Sequence, residues 1–215
     1  MAARARKLPY DADAARRHIQ RADPVMRDIV RSVGPYRLEL RGSPFQSLFR
    51  ALLYQQLAGA AAAAIERRLL ALFDHRVPEP HELLALSPEQ MRGAGISRQK
   101  AGYLHSLAEH AAAGGLDRRR LARASDDRVI EAVTEIKGVG RWTADMLLIF
   151  CLGRPDVLPV GDLGVQRAIK DAYGLGSMPD AAKMTEIAEP WRPYRSAATW
   201  YLWRSTDTIT DDITL

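Results

Sequence analysis

Apolar residues recur along this chain at the spacing of an α-helix, and no useful length of it alternates as a strand would. The clearest helical stripe follows Ser43-Pro44, since serine is a preferred N-cap and proline a preferred first helical residue. The members of this stripe are Phe45, Leu48, Phe49, Leu52, Leu53 and Leu57. Beyond Gly59, a second stripe contains Ile65, Leu69, Leu72 and Phe73. The segment therefore predicts one long helix or two nearly continuous ones.

Further helices are predicted from start signals and apolar spacing along the rest of the chain. Serine caps indicate helices after Ser87, Ser97 and Ser125. The segment from Arg141 to Leu152 is apolar almost all round, which indicates a buried helix. Two more stripes lie within residues 165–173 and 194–202, and a polar, acidic tail follows from Thr206. An all-α fold is expected.

Composition narrows the function classes. The chain has 215 residues, of which 47% are hydrophobic, and a formal net charge of +5 that suits a polyanionic partner. Its single cysteine, Cys151, excludes an internal disulfide, a four-cysteine zinc site and an iron–sulfur cluster. No apolar stretch approaches the roughly 20 residues of a membrane span, and the basic start lacks the apolar core of a signal peptide. We expect a cytoplasmic, nucleoid-associated protein if bacterial, or a nuclear one if eukaryotic.

Two predicted helices are joined by the glycine-containing turn Gly138-Val139-Gly140. A glycine at the end of a helix is commonly only a C-cap, which is the simpler interpretation. The alternative is a phosphate clamp, because glycines let backbone N–H groups approach an anion at the start of the next helix. Lys137 and Arg141 add positive charge on either side. Such a clamp would position nucleic acid without reading its sequence.

A short internal repeat relates this turn to an earlier one. Residues 95–104 match residues 138–147 at glycine, Ile/Val, arginine, alanine and leucine. The match is short enough to arise by chance at two helix starts. If it is real, Ser97 and Lys100 belong to a second turn that contacts the DNA backbone.

Several segments, in order along the chain, resemble motifs of the helix-hairpin-helix DNA glycosylase superfamily. Residues 136–144 look like its helix-hairpin-helix, and residues 158–165 look like its catalytic-aspartate loop. Residues 45–57 resemble its glutamine-containing, DNA-facing segment. Residues 191–203 resemble the C-terminal helix of its alkylation-repair branch, the 3-methyladenine DNA glycosylase II type. The matches together span about residues 43–206.

The resemblance implies a two-lobed, all-α helix-hairpin-helix glycosylase fold in a single catalytic unit, residues 1–215. One lobe would contain about residues 36–143, including the hairpin, and the other about residues 1–35 with 144–215. Asp162 would face the cleft between the lobes.

Asp162 is the expected catalytic residue. In isolation an aspartate at this position is more often a helix N-cap. The resemblance implies that it stabilises the cationic sugar of an oxocarbenium-like transition state and orients or activates the attacking water. Bifunctional relatives carry a lysine, which forms a Schiff base, where this chain has Trp142. A monofunctional enzyme without lyase activity is therefore expected.

Aromatic side chains are the expected base pocket, because alkylated purines are cationic and cations are attracted to aromatic faces. The resemblance assigns Trp142 and Trp203 to the pocket, and Tyr54 is a further candidate. Core packing is an equal alternative for Trp203. Relatives often have a small residue and a serine where this chain has Tyr54 and Ala58, which leaves the shape of the pocket open.

DNA contacts are expected from the hairpin and from the segment after Tyr54. Gln56 occupies the wedge-like position that would fill the gap left by a flipped base, although an exposed helix glutamine is an equal alternative. The remaining DNA-binding candidates are Gln55, Lys137, Gly138, Val139, Gly140, Arg141, Thr143, Ser97 and Lys100. The backbone carbonyls of Thr134, Ile136 and Val139 would hold a sodium or potassium ion, and no other cofactor is expected.

The function expected from the sequence is hydrolytic release of 3-methyladenine and 7-methylguanine from double-stranded DNA during base excision repair. The protein would act as a monomer with damaged duplex DNA as its partner and without a membrane. Two alternatives remain open: a glycosylase for uracil, mispaired or oxidised bases, and a non-catalytic helix-hairpin-helix DNA-binding module.

Overall fold

The computed structural model describes residues 6–57 and 59–206. Ala58 and the acidic tail beyond Thr206 lie outside the described residues. Helices joined by turns and loops make up the described chain, which contains one isolated antiparallel bridge between Arg6 and Leu40 and no strand. The predicted all-α class is confirmed. No helix in the described ranges combines the length and the apolar character needed to cross a membrane.

Thirteen α-helices follow one another in the described chain. They are α1 Ala12–Ala22, α2 Pro24–Val33, α3 Pro44–Tyr54, α4 Gly59–Leu70, α5 Pro80–Leu84, α6 Pro88–Gly93, α7 Arg98–Ala112, α8 Arg118–Arg123, α9 Asp126–Thr134, α10 Arg141–Met146, α11 Leu163–Ala172, α12 Ala181–Ala188 and α13 Arg195–Ser205. Short 3₁₀ turns cover Ala71–Phe73 and Glu189–Trp191, and a π-helix covers Leu147–Leu152.

The described residues divide into two compact units. Residues 42–147 form the first unit, with helices α3 to α10. Residues 6–41 and 148–206 form the second, with α1, α2 and α11 to α13. The sequence placed the two boundaries at about residues 35/36 and 143/144, a few residues before those of the compact units.

Serine caps start the helices that the sequence marked. The hydroxyl oxygens of Ser43, Ser87, Ser97 and Ser125 each accept a hydrogen bond from the backbone N–H three residues on. Gln46 completes a reciprocal capping box at Ser43, which satisfies a second backbone donor. These local hydrogen bonds explain why the predicted starts of α3, α6, α7 and α9 are confirmed.

Two residues that the sequence assigned to apolar stripes, Leu57 and Leu72, are exposed in the structure. The first stripe is buried from Phe45 to Leu53, but α3 ends at Tyr54 and leaves Leu57 exposed. Leu72 is exposed because the chain tightens into a 3₁₀ turn after α4, which changes the side facing the core. The predicted segment therefore forms two helices, α3 and α4, rather than one.

The segment predicted as a buried helix from Arg141 to Leu152 is helical, but its form changes midway. It begins as α10 and continues as a π-helix over Leu147–Leu152. Every residue from Thr143 to Leu152 is buried. A π-helix holds more residues per turn than an α-helix, so the prediction of a uniform helix is corrected there.

Asp23 connects several helices of the second unit, including α2, which the apolar pattern did not predict. Its Oδ1 accepts from the N–H groups of Val25 and Met26 and so caps α2. Its Oδ2 accepts from the Tyr173 hydroxyl at 2.5 Å and from Trp191 Nε1 at 2.9 Å. One buried carboxylate therefore joins α2 to the end of α11 and to the turn after α12.

Candidate functional site

The turn between α9 and α10 requires glycine at its first position. Gly138 adopts φ +86°, in the left-handed region that disfavours other residues. A Cβ atom at Gly138 would lie 2.5 Å from the Tyr103 ring, so the close approach also excludes a side chain. Gly140 is the N-cap of α10 with extended backbone, and Val139 between the two glycines is buried.

Neighbouring side chains hold this hairpin in place. The backbone N–H of Lys137 donates to Ser106 Oγ at 3.1 Å, and Gln55 Nε2 donates to the Gly138 carbonyl at 3.0 Å. The Lys137 residue itself is exposed. The predicted clamp is therefore a supported turn with a cationic residue at its surface.

Arg141 has a partner on its own helix. Its Nε donates to Asp145 Oδ1 at 2.9 Å, and the Arg141 side chain remains 64% exposed while the Asp145 side chain is buried. Burial raises the pKa of the Asp145 carboxyl above its ordinary value, and the Arg141 guanidinium opposes that shift. Asp145 thus orients Arg141, a contact that the sequence analysis did not identify. The i, i+4 spacing of the two residues was the available signal.

Residues 55–57, called here the wedge turn, follow α3. Gln56 is exposed and adopts φ +57°, in the left-handed region that few non-glycine residues occupy. Leu57 beside it is 37% exposed. Gln55, predicted to bind DNA, directs its amide to the Gly138 carbonyl. The turn therefore presents Gln56 and Leu57 at the surface and uses Gln55 as an internal tie.

Lys100 and Ser97 also make contacts inside the protein. The Lys100 ammonium donates to the carbonyl oxygens of Leu52 at 3.1 Å, of Gln55 at 2.9 Å and of Leu53. Ser97 Oγ accepts from the Lys100 backbone N–H at the start of α7. Thr143, another predicted DNA-binding residue, is buried in α10. These three side chains are engaged in the fold of the first unit.

Tyr54 is tied to a buried carboxylate. Its hydroxyl donates to Glu66 Oε2 at 2.8 Å, while Arg50 Nε donates to Glu66 Oε1 at 2.9 Å. Burial raises the pKa of the Tyr54 hydroxyl, and the hydrogen bond to Glu66 adds to the shift. Tyr54 is half-buried, and its phenol group is fixed by α4.

In the second unit, Asp162 is the N-cap of α11. Its Oδ1 accepts from the Val165 N–H at 2.8 Å and from Trp203 Nε1 at 3.0 Å. The residue is 8% exposed, so the carboxylate is largely withdrawn from bulk water. The capping role given by the sequence is present together with a second donor.

Trp203 is the second donor to Asp162. The residue is 2% exposed, and its ring stacks on Phe150 at a centroid distance of 5.6 Å. Its N–H points to the carboxylate, an arrangement that the sequence analysis missed because the two residues lie 41 positions apart. Trp142, the other predicted pocket tryptophan, is 37% exposed at the start of α10 in the first unit.

Within residues 6–57 and 59–206, no group of three or more His, Cys, Asp or Glu side chains is placed to hold a metal ion. The predicted carbonyl site lies just beyond α9, which ends at Thr134. The Ile136 carbonyl there already accepts from the Val139 N–H at 3.0 Å. Carbonyl oxygens have two lone pairs, so this donor set fits a monovalent cation.

The chain is similar to known proteins in both sequence and structure. A family model described as "HhH-GPD superfamily base excision DNA repair protein" matches residues 49–193. DNA-3-methyladenine glycosylase 1 of Schizosaccharomyces pombe is 36% identical over 194 residues, which cover 88% of this chain and 85% of that protein.

Two solved structures are also similar to this chain. The 3-methyladenine DNA glycosylase of the same yeast, in complex with abasic DNA, matches with a TM-score of 0.81 and 34% identity. That match covers 94% of this chain and 100% of the other. A DNA-3-methyladenine glycosidase of Bacillus halodurans matches with a TM-score of 0.83 and 37% identity, covering 93% and 92% of the two chains. The chain therefore belongs to the HhH-GPD superfamily of base excision DNA repair proteins.

Proposed function

We propose that this protein is a monofunctional DNA glycosylase that hydrolyses the N-glycosidic bond of alkylated bases in duplex DNA, chiefly 3-methyladenine and 7-methylguanine. The observation that carries the proposal is Asp162, a largely buried carboxylate held by two N–H donors in a chain of a base excision repair family. Relatives named for 3-methyladenine release support the substrate class.

The reaction needs a fixed negative charge beside the sugar. As the bond between C1′ and the base nitrogen breaks, its electron pair leaves with the base and the sugar becomes oxocarbenium-like. The Asp162 carboxylate stabilises this cation and orients a water molecule toward C1′. The water oxygen bonds to C1′, and its released proton passes to the carboxylate or to solvent. An abasic site and a free base are the products.

Strand cleavage is not part of the proposed reaction. A lyase step requires an amine that forms a Schiff base with C1′. Trp142 occupies the position of the lysine in bifunctional relatives and has no amine. The Lys100 ammonium is engaged by carbonyl oxygens at the end of α3. These features support a purely hydrolytic enzyme.

Alkylated purines carry a positive charge, which an aromatic face attracts by about 0.5–2 kcal/mol. Trp142, with more than a third of its surface exposed, is the aromatic residue that we assign to base contact. Tyr54 is a second candidate, with its hydroxyl fixed by Glu66. We assign Trp203 to the support of Asp162, since the indole is buried and donates to the carboxylate.

Duplex DNA bound by one copy of the protein is the proposed partner. The hairpin would contact phosphates through its backbone N–H groups with Lys137 and Arg141 beside them. Gln56 would enter the space left by the flipped base. A sodium or potassium ion on the carbonyls of Thr134, Ile136 and Val139 would bring positive charge to the same phosphate.

Base release from methylated duplex DNA, compared between wild type and Asp162→Asn, tests the proposal. Asparagine caps a helix as well as aspartate and still accepts hydrogen bonds, so α11 and DNA binding should persist. Release of methylated purines should fall by at least about 10³-fold, because a charge that stabilises the transition state is lost. The released bases are separated by chromatography, and the strand is checked for nicks without alkali.

The same experiment separates the proposal from its alternatives. If neither protein releases a base from methylated DNA while both bind it, uracil, mispaired and oxidised bases are tried next under single-turnover conditions. Failure to release any base would favour a non-catalytic DNA-binding module, in which Asp162 serves only as the N-cap of α11. A nick without alkali would contradict the monofunctional assignment.

A further inference from the structure

One side of α7 supports two surface turns of the first unit. Lys100, Tyr103 and Ser106 follow one another at three-residue spacing, which places them along neighbouring turns of the helix. Lys100 contacts the end of α3, where the wedge turn begins. Tyr103 and Ser106 contact the hairpin at Gly138 and Lys137. A single rigid helix therefore fixes both turns.

The contacts of Lys100 match its donors one for one. A lysine ammonium has three N–H groups, and here three carbonyl oxygens, those of Leu52, Leu53 and Gln55, accept from it. Carbonyls at a helix C-terminus lack intrahelical partners and carry partial negative charge, which a cation stabilises. No donor of Lys100 remains for a DNA phosphate in this arrangement.

Gln55 adds a direct tie between the two turns. Its side chain donates to the Gly138 carbonyl, while its own backbone carbonyl accepts from Lys100. The next residue is Gln56, exposed and in the left-handed conformation. Gln56, the residue proposed to enter DNA, therefore directly follows Gln55, which is hydrogen-bonded through both its side chain and its backbone.

We propose that α7 and Gln55 lock the wedge turn to the hairpin, and that Lys100 is a positioning residue for Gln56 rather than a ligand of DNA phosphate. The proposal rests on the proposed function, since it assigns Gln56 to the space left by a flipped base. When the hairpin binds phosphates, these contacts fix the position and orientation of Gln56 relative to the stacked bases. Because the wedge turn is already ordered in the free protein, DNA binding does not include the conformational-entropy cost of ordering it.

Salt dependence distinguishes a phosphate ligand from an internal cap. Each protein–phosphate ion pair contributes about −0.9 to the slope of log K against log salt concentration. Lys100→Met and Lys137→Met form a matched pair, since each removes one ammonium and keeps most of the aliphatic stem. Binding is measured by fluorescence anisotropy at several salt concentrations. The probe is a duplex containing a tetrahydrofuran abasic analogue, which the enzyme cannot cleave.

Lys137→Met should reduce the magnitude of the slope by about 0.9, whereas Lys100→Met should leave it at the wild-type value. Lys100→Met should also slow single-turnover base release by about tenfold, as expected for lost charge-assisted hydrogen bonds that hold Gln56. Gln55→Met, which removes the tie to Gly138 without changing charge, should slow release with an unchanged slope. This variant tests the lock even if Lys100→Met does not fold.

Two results would overturn the lock. A loss of slope in Lys100→Met equal to that in Lys137→Met would make Lys100 a phosphate ligand. Unchanged release rates in both Lys100→Met and Gln55→Met would show that Gln56 needs no such support. The binding arm does not depend on catalysis, so a wild-type protein that releases no base would refute the proposed function and leave the slope comparison interpretable.

Discussion

At the scale of single residues, the structure adds a contact of Trp203 that the sequence did not predict. The sequence indicates an aromatic residue near the base pocket, with core packing as an equal alternative. The structure buries the indole and uses its N–H to hold Asp162 Oδ1, which Val165 also holds. An oxygen fixed by two donors from different helices has little freedom to turn. Orientation of the carboxylate is therefore shared between α11 and α13.

Trp203→Phe should slow single-turnover base release by about tenfold or more, because one hydrogen bond to a charged group contributes about 1.5–3 kcal/mol. Phenylalanine keeps the stacking surface against Phe150 and removes only the N–H donor. Affinity for the abasic-analogue duplex should stay within twofold of wild type.

Trp200→Phe is the matched control for this substitution. Trp200 lies on the same helix and packs against Tyr36 and Tyr201. Its effect on the rate should be small. Equal rate losses in both variants would mean that Trp203 acts through general packing rather than through Asp162.

At the scale of helices, side-chain caps mark where elements begin. Ser43, Ser87, Ser97 and Ser125 could all be predicted from sequence, because a cap and its target lie within three residues. Helices α1, α2, α5, α8 and α12 were not predicted, since they are short or bury few apolar residues. Serine caps were thus an informative signal in this chain, whereas the aspartate caps of α1, α2, α8 and α12 did not lead to a prediction.

The cap of α2 leads to a stability prediction. Asp23→Asn should lower the free energy of unfolding by about 2–3 kcal/mol, because asparagine has one acceptor oxygen where Asp23 uses two. That oxygen can serve either the backbone of α2 or the buried N–H of Trp191, and the other group loses its partner. Urea denaturation followed by circular dichroism measures the change.

Asp11→Asn provides the comparison for Asp23→Asn. Asp11 caps α1, and its Oδ1 accepts only from the exposed backbone N–H groups of Asp13 and Ala14. Asparagine is a comparably good N-cap there, so the loss of stability should be much smaller than in Asp23→Asn. A comparable loss in both variants would refute the role given to the buried contacts of Asp23.

At the scale of the whole molecule, the order of the motifs along the chain predicted the family and the fold, and both are confirmed. Local signals carried that prediction. The contacts that shape the candidate site join distant residues, such as Lys100 with the end of α3 and Asp162 with Trp203, 41 positions away. Pairing across such separations depends on how helices pack, which periodicity does not encode.

The stability of the molecule in acid depends on carboxylates whose pKa values fall on folding. Hydrogen bonds from Arg76 and from the Glu79 backbone N–H lower the pKa of Glu82 from 4.5 to about 2. Because the pKa is lower in the folded state, this contribution is present above pH 4.5 and is lost as the pH falls toward 2.

Glu82→Gln should therefore destabilise the protein near pH 6, with the difference from wild type shrinking below pH 4. Unfolding free energies from urea titrations at several pH values test this expectation. Glu131→Gln is the control, because Glu131 pairs with Arg128 in an exposed i, i+3 arrangement that contributes little. A difference between Glu82→Gln and wild type that does not change with pH would contradict the assignment.

Asp162 caps α11 and is also the proposed catalytic carboxylate, and this combination affects how the chain can evolve. A single-base transition converts an aspartate codon into an asparagine codon, and asparagine retains the cap of α11. Under the proposed function, selection for a folded α11 therefore offers little resistance to this change, and selection for base release is what preserves the carboxylate. On that proposal, a gene copy freed from selection for base release can lose the reaction in one mutation and persist as a folded protein. The identity of residue 162 would then indicate whether base release is still under selection.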